Sequence, residues 1–214
     1  MTKISEIDNI HLIHDNGLDY NNNEIYLMGE GDYVSATGVD EVSEPGVEFL
    51  MAKRFIKNIK ILSMKSDEVI TIHLKSCGGM WEDGIAIYDA IKSCKNHINI
   101  INYAEARSMS SLIYLAGDTQ LIHKHGKFMF HSGTIHTGGT IRQFRTEYEE
   151  NEKSMNQMLD IYVNHLNKKP YWEGLSDLQI RNWLIGKMDE KEEVYLSAEE
   201  AIEIGFADQI IENY

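Results

Sequence analysis

Apolar and polar residues alternate along this chain with two different periods, and the switches between them mark out the elements. Val47, Met51, Phe55, Ile59 and Leu62 recur at helical spacing, which predicts an amphipathic helix over 47–63. Residues 69–74, Val-Ile-Thr-Ile-His-Leu, form a β-branched run that predicts a strand leading into the turn Lys75-Ser-Cys-Gly78-Gly79. A helix over 81–94 follows, with Ile87, Ile91 and Cys94 on one stripe. The unit then repeats as a strand over 98–103, a turn over 104–107 and a short helix from Ser108 closed by Gly117. Strands over 119–123 and 128–131 flank Lys124-His125-Gly126. Past a gap holding Gly133, Gly138 and Gly139, the apolar positions Ile141, Phe144, Tyr148, Met155, Leu159, Tyr162 and Leu166 predict one long helix over 140–167.

Pro170 stops that helix, and Ser176 with Gln179 makes the capping-box pair that opens the next, which Gly186 is expected to end. A strand over 194–196 precedes a second such pair, Ser197 with Glu200, and Gly205 closes the last helix. Strand–helix alternation of this kind implies an α/β fold with a mostly parallel sheet. A strand over 24–28 opens it, so residues 24–214 read as a single domain. Residues 1–23 are polar, end in three asparagines and read as a flexible N-terminal arm. The acidic, turn-rich stretch from Gly29 to Gly46 reads as an exposed loop.

The 214 residues carry a formal charge of −14, which argues against a surface for nucleic acid or anionic lipid. No apolar run approaches the roughly 20 residues of a membrane span, and the first residues hold acids where a signal peptide needs an apolar stretch. Two cysteines, Cys77 and Cys94, make neither a disulfide framework nor a zinc spacing. A reducing, cytoplasmic setting is the expectation.

Two strand-to-helix turns carry the candidate chemistry, because ligands of open α/β sheets bind beyond the carboxyl ends of strands. Ser108 stands at one of them, where a serine serves either as a helix cap or as a nucleophile with the Met109 N–H beside a developing oxyanion. The nucleophile-elbow pattern of flanking glycines is absent, since Ala106 and Ser110 occupy those positions. The Gly78-Gly79 turn is the other, by itself more often just a tight turn, whose N–H groups could complete an oxyanion hole or hold an anionic ligand; it lacks the Lys-Ser/Thr pair of a phosphate loop. Among nine histidines, His131 ends an apolar strand before a glycine-containing loop and is placed to act as a base, whereas His73 lies inside a strand. His123 and His125 alternate on one face, a weak basis for metal without a third ligand.

These residues resemble the ClpP family, the proteolytic subunit of Clp protease. Ser76-Cys77-Gly78-Gly79 with the helix Gly84-Ile-Ala-Ile-Tyr-Asp-Ala is similar to the family's Ser-Pro-Gly-Gly turn and helix. Arg107-Ser108-Met109 through Ala116-Gly117 is similar to its nucleophile segment, and Met129-Phe130-His131 to its histidine strand. Tyr195-Leu196-Ser197-Ala198-Glu199-Glu200-Ala201 through Gly205 and Asp208 is similar to its late signature. The resemblance implies the ClpP/crotonase-like fold with repeated ββα units and a protruding handle helix, here 140–167. It further implies Ser108 as nucleophile, His131 as general base, and an oxyanion hole from the N–H groups of Gly78 and Met109. The family's aspartate position holds Glu193, so Glu193 is the expected third member of the triad, with Asp189 the alternative.

Other departures are Cys77 for the family's proline, Ser132-Gly133 for the Gln-Pro after the histidine, and Glu192-Glu193 for an Arg-Asp pair that links rings. The resemblance therefore points to a divergent, phage-type or bacterial, serine endopeptidase acting on peptide or unfolded protein. It would form a heptameric ring, single or double, with a Clp-type ATPase as partner; ATP would belong to that partner and no cofactor or metal to this chain. The competing readings are a catalytically inactive ring subunit and a crotonase-type acyl-CoA enzyme.

Overall fold

A computed structural model describes residues 3–29, 46–134 and 138–212. Most of the acidic loop over 29–46, and residues 135–137 of the glycine-rich gap, lie outside the described residues.

The β-branched segments assemble into one sheet. Strands β2 (Glu24–Met28), β3 (Ile70–Ser76), β4 (Ile98–Arg107), β5 (Thr119–His123) and β8 (Gln209–Ile211) run parallel in that order. A two-residue β1 (Leu18–Asp19) adds antiparallel to β2. Strand β4 has two partners on one side. Its first half, Asn99–Asn102, pairs with β5, and its second half, Glu105–Arg107, pairs with β6 (Lys127–His131). Strand β7 (Glu193–Leu196) then closes antiparallel against β6. The turn expected over 104–107 is therefore the end of an unbroken ten-residue strand. What reads locally as an end of β4 is a change of neighbour, and the new ladder keeps the backbone extended.

Helices α2 (Phe49–Lys65), α3 (Trp81–Lys92) and α4 (Met109–Leu115) pack on the sheet, and α5 (Ile141–Leu166), α6 (Asp177–Lys191) and α7 (Ala198–Ile204) follow. The buried side chains form one continuous cluster, from Leu18 and Ile25 through Ile72, Ile100 and Phe128 to Phe206. Behind β6 its aromatic centre stacks Phe128 on Phe206 at 4.4 Å between ring centroids, with Phe130 and Tyr162 packed around them. Gly84 lets α3 and α4 approach, because a Cβ there would stand 2.1 Å from Met109 Cγ. Residues 141–150 of α5 are exposed all round and its burial begins only in the later turns, so the first half of the helix projects from the body.

Three further expectations are corrected. The described part of the expected 1–23 arm, from residue 3, is not a loose arm. Ser5 caps a helix α1 (Glu6–Asn16), Gly17 ends it at φ 60°, and Asn9 Nδ2 donates to buried Asp19 Oδ1 at 2.8 Å. Lys65 Nζ donates to Asn23 Oδ1 at 2.6 Å, tying the segment to α2. Leu18 anchors this stretch in the core, but the rest of its order comes from buried amide and carboxylate pairs, which is why its composition reads as solvated. Gly186 does not end α6. Leu184 and Met188, buried on either side of it, carry the helix through to Lys191. Gly117 is not the cap of α4 but the residue after it, where a Cβ would meet Ile100 Cγ1 at 2.8 Å.

His165 of α5 is mostly buried, with Nε2 2.9 Å from the Gly205 carbonyl. Burial, helped by Lys169, lowers its pKa to about 4. Its unfolded value lies near 6.5, so the unfolded chain binds the extra proton between these limits and stability falls as pH drops from about 6.5 towards 4. Melting curves across that window should show the loss, and His165→Gln should flatten the part of the slope due to this ring.

Candidate active site

Ser108 stands between the last residue of β4 and the first of α4, with φ 52° and ψ −127°. A non-glycine residue held there costs on the order of 1–3 kcal/mol, and such strain concentrates at functional positions. The surrounding hydrogen bonds impose it. Ser108 N–H donates to Met129 O at 3.0 Å, extending the β4–β6 ladder, while Ser111 N–H already accepts the helical role by donating to Ser108 O at 2.9 Å. The Ser108 side chain makes no capping bond to α4. Its Oγ points across the sheet end and lies 2.7 Å from His131 Nε2. Of the two roles open to this serine from sequence, helix capping is the one the geometry removes.

The Gly78-Gly79 turn meets Ser108 directly. Gly78 has φ 99°, and a Cβ on it would stand 2.6 Å from Ser108 Cβ and 2.8 Å from Arg107 O. The turn is gripped from its other side, where Val47 N–H donates to Gly78 O at 2.7 Å and Met80 N–H to Val47 O at 2.8 Å. Beneath it Ser110 Oγ donates to Ser76 Oγ at 2.7 Å, both buried. Gly78 N–H reaches Ser76 Oγ at a long 3.3 Å, a weak bond that a stronger acceptor can displace. Met109 N–H heads α4, one of the first-turn donors that precede the helical ladder.

His131 closes β6, and the antiparallel register sets Glu193 opposite it. Opposed residues share a sheet face with Cβ atoms about 5 Å apart. Burial lowers the His131 pKa below its ordinary value; the Glu193 charge opposes that shift, Arg107 adds to it, and Glu192 opposes it. Among the described residues no hydrogen bond joins Glu193 to His131; its Oε2 instead accepts from Tyr195 Oη at 3.0 Å. Asp189 lies in the exposed end of α6 and is not among the charges acting on the imidazole. Ser108, His131, Gly78, Met109 and Glu193 therefore come to one end of the sheet, where β4 and β6 finish and the antiparallel β7 begins.

His73 and His123 lie elsewhere. His73 is buried in β3, its Nδ1 2.9 Å from Tyr103 Oη, and the His123 ring lies against Tyr103 with centroids 4.8 Å apart. Among the described residues no three His, Cys, Asp or Glu side chains gather as a metal site requires. Two neighbours were not legible from sequence. Arg107 and Tyr195 sit on the same face as His131, the guanidinium 5.4 Å from the Tyr195 ring centroid. Their position follows from the pairing of β4, β6 and β7, and only the i, i+2 spacing of Glu193 and Tyr195 hinted at it.

A model of the family described as Clp protease matches residues 43–214, which is most of the chain and all of this site. The chain belongs to the Clp protease family. Relatives of this Clp protease family member include an ATP-dependent Clp protease proteolytic subunit of Deinococcus radiodurans, 27% identical over 169 residues, covering 78% of this chain and 76% of that protein. The ATP-dependent Clp protease proteolytic subunit 2 of Pseudomonas aeruginosa is 29% identical over 172 residues, covering 78% and 77%. A mutant ClpP1 from Listeria monocytogenes has the same fold, with a TM-score of 0.69 at 21% sequence identity over 91% of this chain and 94% of that one. The ClpP-like architecture expected from the motifs is thus the observed one.

Gly78 offers a direct check on how the two turns fit. Gly78→Ala forces a Cβ into Ser108 and a side chain onto φ 99°, and should lower stability by about 1–3 kcal/mol. Labelling by a fluorophosphonate should fall with it. Full reactivity at wild-type stability would show that the two turns are not in contact.

Proposed function

We propose that this Clp-family chain is a serine endopeptidase that cleaves peptide bonds through an acyl-enzyme. The observation that carries the reading is Ser108 Oγ, presented on a strained strand-to-helix turn 2.7 Å from His131 Nε2 and packed against Gly78. Ser108 Oγ attacks the scissile carbonyl carbon as its proton passes to His131 Nε2. The oxyanion accepts hydrogen bonds from the N–H groups of Gly78 and Met109, with the long Gly78–Ser76 bond giving way. His131 then protonates the leaving amine, the C–N bond breaks, and an ester remains on Ser108. Water, deprotonated by His131, attacks the ester, and the carboxylate product leaves with Ser108 restored.

Desolvation of His131 suits the base role, because the ring is unprotonated at neutral pH and can receive the Ser108 proton. Glu193 is the acid that stabilises the imidazolium, from the position opposite His131. Substrate would lie extended along the exposed residues 132–134 that follow β6, using main-chain hydrogen bonds that no particular side chain is needed to make. None of these steps calls for a metal or a cofactor.

The relatives are named proteolytic subunits of an ATP-dependent Clp protease, which supports a larger assembly with an ATP-hydrolysing Clp partner; the family resemblance implies a homo-oligomeric, heptameric ring fed with unfolded protein. The projecting half of α5, with Ile141, Phe144 and Tyr148 exposed along one stripe, supplies apolar surface for contacts between subunits. No helix among the described residues is long and apolar enough to cross a membrane, and Cys77 and Cys94, neither of them in a disulfide, fit a reducing cytoplasm.

Ser108→Ala should lose peptide hydrolysis by more than about 10³-fold while keeping the wild-type melting temperature, and should abolish the single fluorophosphonate adduct that peptide mapping places on Ser108. Hydrolysis retained in that variant would refute the assignment. The acid limb of kcat/KM against pH should have its midpoint below about 6.5, the ordinary histidine value, because activity requires neutral His131 and burial holds its pKa down.

A further inference from the structure

Three strands present one continuous face beside the nucleophile. Residues paired across a sheet share a face, and so do residues two apart on one strand. Arg107 of β4 pairs with Met129 of β6, which pairs with Tyr195 of β7. The next row holds His131 and Glu193. Strands β4 and β7 flank β6 and so lie about 9.5 Å apart, yet the Arg107 guanidinium reaches to 5.4 Å from the Tyr195 ring centroid. Arg107 therefore arches over Met129, which is only 1% exposed although it lies outside the main core. Glu105 fixes the arch at its base, accepting from Arg107 Nη1 at 3.3 Å while Lys75 Nζ lies 3.6 Å from its other oxygen.

Tyr195, held by that arch, donates its hydroxyl to Glu193 Oε2 at 3.0 Å. This bond joins residues i and i+2 on the same face, so it bends the glutamate back along its own strand. Without it, an exposed glutamate on an outer strand gains rotamer freedom by reaching into solvent. With Oε2 taken, Oε1 has no protein donor among the described residues and lies on the side chain directly opposite His131. We propose that Tyr195, clamped by Arg107, is a positioning residue that holds Glu193 beside His131 so that its free oxygen can receive the imidazole Nδ1–H. Glutamate is one methylene longer than the aspartate that family resemblance leads one to expect, and the Tyr195 hydroxyl takes up that length. The proposal rests on the peptidase reading for its purpose, but the Glu193–His131 coupling it asserts can be measured without activity.

The test is the His131 titration followed by NMR on full-length protein with labelled histidine, the resonance being assigned by its loss in His131→Gln. The charged groups acting on the ring are Glu193 of β7, Arg107 of β4, itself paired with Glu105, and Glu192, which caps α6. Tyr195→Phe keeps the ring under Arg107 and removes only the hydroxyl. It should lower the His131 pKa by about 0.5 to 1 pH unit, because a carboxylate released to solvent no longer favours the imidazolium. Glu193→Ala should lower it as much, and the double variant no further. An unchanged or raised value in Tyr195→Phe overturns the proposal, as does a double variant in which the two shifts add. Fluorophosphonate labelling of Ser108 in the same samples separates the two ideas. Wild type that shows the NMR coupling but neither labels nor cleaves peptide would remove the peptidase reading alone. Wild type that labels at the same rate as Tyr195→Phe, with no pKa change between them, would remove the positioning role alone.

Discussion

Strand β4 must satisfy two neighbours in turn, and the site depends on that constraint. Its first half completes a ladder with β5, its second half with β6, and the last rung of the second ladder is the bond from Ser108 N–H to Met129 O. That rung holds Ser108 extended on one side while α4 begins on the other, and the backbone meets both demands only at φ 52° and ψ −127°. The same ladder fixes the distance from Ser108 to His131, two residues beyond Met129 on the partner strand. Ser108 and His131 are thus set relative to one another by main-chain hydrogen bonds.

The glycine turn is built around this geometry rather than beside it. Gly78 has to lack a Cβ because Ser108 Cβ occupies the space, and Gly79 because Val47 O would stand 2.2 Å from one. The bridge from Val47 and the buried Ser76–Ser110 bond hold the turn from either side. A donor held this rigidly needs no reorganisation as charge develops on an oxygen placed against it, which is where catalytic stabilisation of an oxyanion arises.

Electrostatics in the site is a balance of opposed effects around one imidazole. Burial and Arg107 favour the neutral ring, Glu193 and Glu192 the charged one. A chain of net charge −14 places its acids mostly where water screens them, but Glu193 is joined to Tyr195 and lies within the influence of Arg107. The local charge pattern, and not the global one, sets how the His131 ring titrates.

Much of the fold was legible from period alone. The 3.6-residue recurrence over 47–63 and 140–167 gave α2 and α5, the capping pairs at Ser176 and Ser197 gave the starts of α6 and α7, and short β-branched or aromatic runs gave β3, β5 and β6. Local chemistry decides these elements, so local sequence reports them. The motif order likewise carried Ser108, His131 and the Gly78 turn, because each needs a residue type that few structural positions require. What sequence could not report depends on pairing at a distance. The N-terminal helix is ordered by buried polar bonds between Asn9, Asp19, Asn23 and Lys65, and α6 runs through Gly186 because Leu184 and Met188 face the core. The arch of Arg107 over Met129 to Tyr195 exists only once β4, β6 and β7 lie in register. Sequence determined which residues could do the chemistry; the sheet register decided which of them meet, since a shift of one residue turns every side chain of a strand to the opposite face.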